Sequence, residues 1–434
     1  MQWPTVGEVW RTVTLQAGFN AAVVVAGTAL LGFAAGVVGT FALLRKRALM
    51  GDALAHATLP GVALAFIVAA ALGAGGKSLA VLLPGAALTG VAGVICVQLI
   101  VRHTRLTEDA AIGAVLSVFF GAGVVLLSWI QTMPTGGQAG LATFIYGQTA
   151  AMTVRDAVLM GAVAVIAAAA ATLLFKEFAL VAFDDAFARV QGWPVSAVDL
   201  AMMSLVVLVT VIGLQAVGLI LVVAMLIIPA AAARFWTERL WRMTLIAGII
   251  GALSGHLGAS ASALLPRLPV GSVIVLVSGA VFVVSMFAAP ARGVVAGAAR
   301  AARLRAKIAR DHMLLEVGRL SSAGPGAVRI NQIARARGWG ALTAWLTARS
   351  LVRRGLARVR DGEVTLTGAG RAATDRLART RALWEAYLTR YADVAPSHVD
   401  YSADLVEHIL SPEIVAELES TLPGRDAPPE GAAA

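Results

Sequence analysis

Long apolar runs alternate with short polar connectors over roughly the first 290 residues of the chain. A run of about 20 apolar residues is long enough to cross a bilayer as an α-helix. Because the two runs between 197 and 233 leave little room for a loop, they predict either two spans or one long or broken helix. The pattern predicts an all-α polytopic membrane protein with about eight or nine transmembrane helices, at 19–43, 50–72, 79–101, 111–132, 155–175, 197–214, 216–233, 243–264 and 270–289.

Basic residues cluster in alternate connectors of this region, as the positive-inside rule leads us to expect for cytoplasmic loops. The alternation predicts an outside N-terminus and a cytoplasmic C-terminal region in a multi-pass plasma-membrane protein. The longest polar connector, 176–195, mixes charged and aromatic residues, which suits a short helix along the cytoplasmic face. The clusters are Arg45–Arg47, Arg102–Arg105, Lys176–Arg189, Arg234–Arg242 and the residues from Arg292 onward.

After Arg292 the pattern becomes that of a soluble domain. It predicts helices over Ile330–Arg337 and Ala341–Arg354, then a hairpin at Asp361–Gly362, because Asp-Gly between apolar residues favours a tight turn. Helix-turn-helix followed by a hairpin is typical of a winged helix. A further helix is predicted over about 370–391.

Composition agrees with this division. With 59% hydrophobic and only 14% charged residues, the chain is too apolar for a soluble protein of its size. The net charge of +10 follows from basic membrane loops and a basic C-terminal region, so it does not by itself indicate nucleic-acid binding. The single cysteine, Cys96, cannot form an intrachain disulfide.

Two ionisable residues, Asp52 and His56, interrupt the second apolar run directly after three cations. Such groups are costly within a membrane and usually mark a pathway or a site. Four residues apart they share one helix face, where a carboxylate and an imidazole can hold a divalent metal. From these residues alone, a metal path and a structural Asp–His pair between helices both stay open. For His256, which has small neighbours, a helix-packing role is favoured over a ligand role.

Three stretches carry a resemblance to a known family: GDALAHATLPGVALAF, TRLTEDAAIGAVLSVFFGAGVVLLS (104–128) and VGLILVVAMLIIPAAAAR (217–234). They resemble the permease subunit of ABC importers for manganese, zinc and iron, over most of residues 15–290. The resemblance implies a homodimer, two cytoplasmic ATPase subunits and an extracytoplasmic metal-binding protein, so the chain is predicted to be a transport subunit and not an enzyme. The segment GAGGKS (73–78) lacks the first glycine of a phosphate loop, and we predict that this chain binds no nucleotide.

The resemblance also implies roles for particular residues. Asp52 and His56 occupy the metal-coordinating positions of the translocation path, and two copies at a dimer axis would offer four ligands suited to Mn²⁺, Fe²⁺ or Zn²⁺. The segment Phe183–Val195 matches the loop whose helix docks on the ATPase. Its predicted coupling residues are Phe183, Asp184, Asp185, Phe187, Arg189 and Gly192.

Residues 308–422 resemble the metal-dependent transcriptional repressors that sense iron or manganese. The resemblance implies that a regulatory Mn or Fe binds here, although Arg381 stands where those repressors have a histidine ligand, so that the site is partial or binds differently. A solvated acidic helix face is the alternative. Because the domain is tethered to a membrane, we favour a metal sensor or dimerising module over a working DNA-binding repressor. The candidate ligands are Asp404, Glu407, His408 and His312, with Asp311 as an alternative to His312.

The sequence thus predicts the permease subunit of an ATP-binding-cassette importer for manganese, zinc or iron, with a cytoplasmic repressor-like domain that senses metal and regulates transport. The alternative is a membrane-anchored, metal-dependent DNA-binding regulator. The sequence does not choose the metal. The predicted parts are a transmembrane permease domain over 1–292, a linker over 293–307, a winged-helix-like domain over 308–377, a helical metal-binding and dimerisation domain over 378–422 and a disordered tail over 423–434.

Overall fold

The computed structural model describes residues 5–45, 50–72, 79–133, 149–265, 268–322, 326–391 and 414. The chain divides into two compact units, Met1–Ala296 and Gly297–Ala434. The predicted fold class is confirmed: the first unit is built of apolar helices, and the second contains a winged helix.

Helices make up the described part of the first unit, apart from a short 3₁₀ turn at Thr149–Ala151. Each apolar run predicted as a span is helical, and eight of these helices are long and apolar enough to cross a membrane. The helices are α1 (Val6–Val13), α2 (Phe19–Leu44), α3 (Met50–Ala71), α4 (Leu79–His103), α5 (Glu108–Gln131), α6 (Val154–Leu173), α7 (Phe175–Phe183), α8 (Asp185–Val190), α9 (Val195–Val217), α10 (Leu219–Trp236), α11 (Leu240–Leu264) and α12 (Val270–Ala288).

The region 197–233 forms two helices, which decides between the two alternatives left by the sequence. Gly218 separates α9 from α10 with a φ of +85°, a conformation that favours glycine because it has no Cβ. Its N–H still donates to Leu214 O at 3.0 Å, so the backbone at the end of α9 is satisfied. The short helix α10 then follows at once.

Helix α2 lies at the centre of the first unit and packs against α11, α6 and α10. A Cβ on Gly32 would run into the carbonyl of Gly251, and a Cβ on Gly251 would run into that of Gly32. Small residues at such positions let membrane helices approach closely and gain van der Waals contact. Helix α3 packs against α4, again through facing glycines, Gly61 and Gly85, and against α5, where Gly123 lies on Leu59. Asp52 and His56 therefore sit on a helix held tightly by two neighbours.

The histidine outside the predicted metal path has a packing role. His256 Nε2 lies 3.1 Å from the carbonyl oxygen of Val13, the last residue of α1, and so donates a hydrogen bond to it. Thr5 and Glu8 form a capping box at the other end of this amphipathic helix. His256 thus ties α1 to α11.

The second unit has the predicted winged-helix elements. Their core is apolar and includes Met313, Ile333 and Val364. The three short strands form an antiparallel sheet in the order β1-β3-β2, and Asp361 (φ +52°) and Gly362 (φ +78°) form its hairpin turn, as two-residue turns require. The elements are α13 (Val294–Ser322), β1 (Val328–Arg329), α14 (Ile330–Arg337), α15 (Ala341–Arg353), β2 (Ala357–Arg360), β3 (Glu363–Leu366) and α16 (Gly368–Tyr391).

Candidate metal site

Asp52 lies in the first turn of α3, and His56 lies one turn further along the same face. His56 Nε2 is 3.6 Å from Asp52 Oδ1, a separation at which the groups attract one another without a hydrogen bond. The Asp52 side chain is 39% exposed and that of His56 is 21% exposed. The pair is thus partly exposed in a single copy of the chain, and its oxygen and nitrogen atoms are close enough to serve one ion.

The second nitrogen of His56 is a further donor or acceptor. His56 Nδ1 is buried and has no hydrogen-bond partner among the residues that the structure describes. The ring packs edge-on against Phe120 of α5, with 4.8 Å between the ring centroids. Buried polar atoms in proteins are usually satisfied, and an exception is often found at a functional site. Phe120 therefore packs on an imidazole whose Nε2 lies beside Asp52 and whose buried Nδ1 has no partner among the described residues.

The pair lies well inside the membrane helices, although its helix begins only a few residues after Arg45. Phe120 is about 18 Å from the start of α5, close to the middle of that helix. Ala57 packs on Gly93 of α4, which lies about 15 Å from the end of that helix at His103. Both neighbours place His56 near mid-height. On this side of the unit, α4 ends and α5 begins closer to the surface than α3 begins.

One copy of the chain offers two ligands at this position. Within the described residues, no group of three or more His, Cys, Asp or Glu side chains is close enough together to hold a metal ion. Protein metal sites for divalent transition ions generally use four or more ligands. Any metal bound at Asp52 and His56 must therefore take further ligands from water, another chain or residues outside the described part.

The predicted coupling residues lie together on α7, α8 and the turn that follows. Asp184 caps α8, because Phe187 N donates to its Oδ1 at 2.8 Å, and Arg189 pairs with Asp185 one turn away at 2.9 Å. Gly192 ends the segment with a φ of +83°. Four large apolar side chains of this segment are exposed to solvent: Phe183, Phe187, Val190 and Trp193.

The inner face of the same segment is buried against α2. Phe178 of α7 packs edge-on against Phe41, with 5.3 Å between the ring centroids. Arg45, at the end of α2, donates to the carbonyl oxygen of Val181 at 2.9 Å and pairs with Asp199 of α9 at 3.3 Å. Sequence reasoning missed Asp199, although an acid inside a predicted span is the same signal that singled out Asp52.

The predicted ligands of the second unit are only partly described. His312 and Asp311 lie half-buried on α13, beside the core residue Met313, and Arg381 lies on α16. The remaining candidate ligands, Asp404, Glu407 and His408, fall outside the described residues. The metal site predicted for this domain therefore stays a prediction.

Eight helices long and apolar enough to cross a membrane indicate a multi-pass membrane protein. The comparisons specify the family. Residues 18–289 match the model of the ABC 3 transport family, and the chain belongs to this family. Residues 367–432 match the model described as "Iron dependent repressor, metal binding and dimerisation domain". The predicted fusion of the two is thereby confirmed.

Named relatives are membrane proteins of metal transport systems. The manganese transport system membrane protein MntC of Bacillus subtilis is 47% identical over 294 residues, which are 68% of this chain and 66% of that protein. The zinc transport system membrane protein TroC of Treponema pallidum is 43% identical, over 62% of this chain and 89% of that protein. Among solved structures, PsaBC from Streptococcus pneumoniae in complex with Fab matches with a TM-score of 0.55 and 30% identity, over 66% of this chain and 98% of that chain.

Proposed function

We propose that this chain is the permease subunit of an ATP-driven importer of divalent manganese, zinc or iron. Asp52 and His56 are the metal ligands of the path. Manganese is the first ion to test, because the Bacillus relative is named as a manganese transport protein, whereas other relatives are named for zinc and chelated iron. The single observation that carries the proposal is an exposed carboxylate 3.6 Å from an incompletely satisfied imidazole, at mid-height in a chain of the ABC 3 family.

Two copies of the chain complete the site in this proposal. One copy supplies one oxygen and one nitrogen ligand group, and a two-fold axis beside α3 would bring together four. Mixed carboxylate and imidazole ligands suit first-row divalent ions, which are of intermediate softness. Symmetric dimers are the commonest oligomers, and their axis brings the same residues of both copies together.

The exposed apolar side chains of α7 and α8 are the proposed contact for a cytoplasmic ATPase subunit. Phe187 and Val190 of α8 are 49% and 87% exposed, and Phe183 beside them is 68% exposed. A cluster of exposed aromatic side chains on one short segment marks a protein interface more often than a free surface. Asp184, Asp185, Arg189 and Gly192 fix the shape of that segment through a helix cap, an ion pair and a left-handed turn. An extracytoplasmic metal-binding protein delivers the ion from the opposite side.

Uptake into proteoliposomes tests the proposal. The chain and its ATPase subunit are reconstituted with ATP inside, and radioactive Mn²⁺ is added outside together with the metal-binding protein. We expect ATP-dependent uptake that Asp52→Ala and His56→Ala each reduce roughly a hundredfold. Asp109→Ala and His103→Ala are matched controls, because these residues are exposed at helix ends. Full uptake by both ligand variants would contradict the assigned path, and competition by Zn²⁺ and Fe²⁺ identifies the preferred ion.

We further propose that the second unit is cytoplasmic and adjusts transport to the internal metal level. Its residues 367–432 match a metal-binding and dimerisation domain, and a site beyond the membrane would meet the ion after passage. Loading vesicles with Mn²⁺ should slow uptake by the wild-type protein. Replacing Asp404, Glu407 and His408 by Ala should remove this inhibition. Unchanged inhibition in the triple variant would exclude the regulatory role while leaving the transport proposal intact.

A second candidate function rests on the winged helix itself. Exposed arginines on α15 and the hairpin, such as Arg349, Arg353 and Arg358, could contact phosphates. A membrane-anchored regulator would then bind a DNA operator in the presence of Mn²⁺ or Fe²⁺. A binding measurement between the full-length solubilised protein and DNA fragments from upstream of its own gene distinguishes this regulator from the transport subunit. Metal-dependent binding in a chain without uptake would favour the regulator.

A further inference from the structure

Arg45 is the point at which four helices of the first unit meet. It follows the last residue of α2, and its side chain is only 15% exposed. Its guanidinium Nη1 donates to the carbonyl oxygen of Val181 on α7 at 2.9 Å and lies 3.9 Å from Asp185 Oδ2 on α8. Its Nε lies 3.3 Å from Asp199 Oδ1 on α9.

The network continues beyond Arg45 to α4. Gln98 Nε2 donates to the other carboxylate oxygen, Asp199 Oδ2, at 2.9 Å. The Asp199 side chain is 6% exposed, so its charge depends on these neighbours for stabilisation. Through Arg45, the segment α7–α8 is thus joined by polar contacts to α2, α9 and α4 at their ends on a single side of the unit.

The contacts differ in strength along this chain of residues. The hydrogen bond to Val181 is short, whereas the ion pairs to Asp199 and Asp185 are longer and lack hydrogen-bond geometry. Ion pairs of this kind tolerate shifts in distance, because Coulomb attraction falls slowly and has no angular requirement. Arg45 can therefore stay attached to its partners on α7, α8 and α9 while the segment moves.

We propose that Arg45 is a positioning residue that transmits movement of the α7–α8 segment to the membrane helices around the metal path. This rests on the proposed function, in which the same segment contacts the ATPase. Movement of the α7–α8 segment acts on Arg45 through Val181 and Asp185, and Arg45 passes it to α9 and α4 through Asp199 and Gln98. Helix α4 packs on α3, so that the movement reaches the helix that carries Asp52 and His56.

Arginine is required for this role because its planar group has five N–H donors that reach several partners at once. Lysine would keep the positive charge beside Asp199, and with it the stability and the membrane orientation. It could not bond Val181 and both carboxylates together. Arg45→Lys is therefore the test variant, and Arg45→Gln/Asp199→Asn is a second one, in which no buried charge is left unpaired.

The experiment measures the ratio of Mn²⁺ ions transported to ATP molecules hydrolysed in the reconstituted complex. We expect the ratio to fall about fivefold or more in both variants, the scale of typical coupling between sites, while the ATPase subunit still co-purifies. The matched control is Arg292→Lys. Arg292 also forms an ion pair, at 3.0 Å with Glu238 in the connector between α10 and α11, but it does not contact the α7–α8 segment in the described structure. An unchanged ratio, or equal losses of uptake and hydrolysis, would overturn the proposal.

The single cysteine of the sequence provides a readout that needs no transported ion. Cys96 lies on α4, two residues before Gln98, and is half-buried. We expect ATP with vanadate to change its rate of labelling by N-ethylmaleimide in the wild-type complex, and to change it much less in Arg45→Lys. Equal changes in both would overturn the proposal. If the assembled wild-type complex hydrolysed ATP without moving Mn²⁺, the proposed function would fail, and this labelling would still decide the role of Arg45.

Discussion

Two pairs of ionisable side chains lie among the membrane helices, and the protein treats them differently. Arg45 and Asp199 are buried and surrounded by partners from α4, α7 and α8. Asp52 and His56 are more exposed, stand 3.6 Å apart on one helix, and include a ring nitrogen without a partner among the described residues. The first pair is buried, and each of its residues makes a hydrogen bond to a neighbouring helix, whereas the second pair is more exposed and makes no hydrogen bond to another helix within the described residues. The difference distinguishes a structural ion pair from a candidate transport site.

The largest expected effect is on stability, at the buried pair Arg45 and Asp199. Asp199→Ala leaves the Arg45 guanidinium buried beside an apolar group, and we expect the free energy of unfolding to fall by about 3–5 kcal/mol. Titration with sodium dodecyl sulfate in mixed micelles measures it. Asp199→Asn should lose less, because the amide oxygen still accepts from Gln98. A loss below ~1 kcal/mol for Asp199→Ala would mean that this buried ion pair stabilises the protein no more than an exposed one does. The contrast between Arg45–Asp199 and Asp52–His56 would then not hold.

The next effect concerns transport, at the more exposed pair Asp52 and His56. Asp52→Ala and His56→Ala should each reduce uptake roughly a hundredfold, equivalent to about 2.7 kcal/mol, because each removes a ligand. Their unfolding free energy should stay within about 0.5 kcal/mol of wild type, since neither side chain supports a neighbour by a hydrogen bond in the described structure. The double variant should be no less active than either single one, as expected for residues that act as a unit. A loss of several kcal/mol in stability would instead make the pair structural.

A smaller effect is expected from the ring that orients His56. Phe120→Leu keeps an apolar side chain but removes the edge-on contact, which is worth about 0.5–1.5 kcal/mol. We expect the concentration of Mn²⁺ for half-maximal uptake to rise up to about tenfold, by the same energy scale. Phe119→Leu, at the neighbouring position, is the control. Equal behaviour of the two variants would show that Phe120 does not position the imidazole.

The smallest effect should come from an ion pair exposed to water. Arg292 and Glu238 are 3.0 Å apart, but their side chains are 47% and 67% exposed. Glu238→Gln should therefore change the unfolding free energy by less than about 1 kcal/mol and leave uptake unchanged. A larger loss of stability would mean that distance alone, and not burial, decides the worth of ion pairs in this protein.

The amino-acid sequence by itself determined the fold class and the two-part organisation. Apolar runs of membrane length can only be helices in a bilayer, because backbone groups there must bond within their own segment. Asp-Gly between apolar residues determined the hairpin of the winged helix for a similarly local reason, the φ values of its turn. Asp52 and His56 were visible because an acid and an imidazole inside an apolar run stand out.

Only the tertiary structure decided how deep that pair lies and what surrounds it. The sequence shows only that the pair closely follows three cations, whereas the contacts of His56 with Phe120 and of Ala57 with Gly93 place His56 near mid-height. The joining of Arg45 to Val181, Asp185, Asp199 and Gln98 was equally beyond the sequence, since these residues lie up to 154 positions apart. Depth and partnership depend on how separate helices pack, and the periodicity of a single helix carries no information about its neighbours.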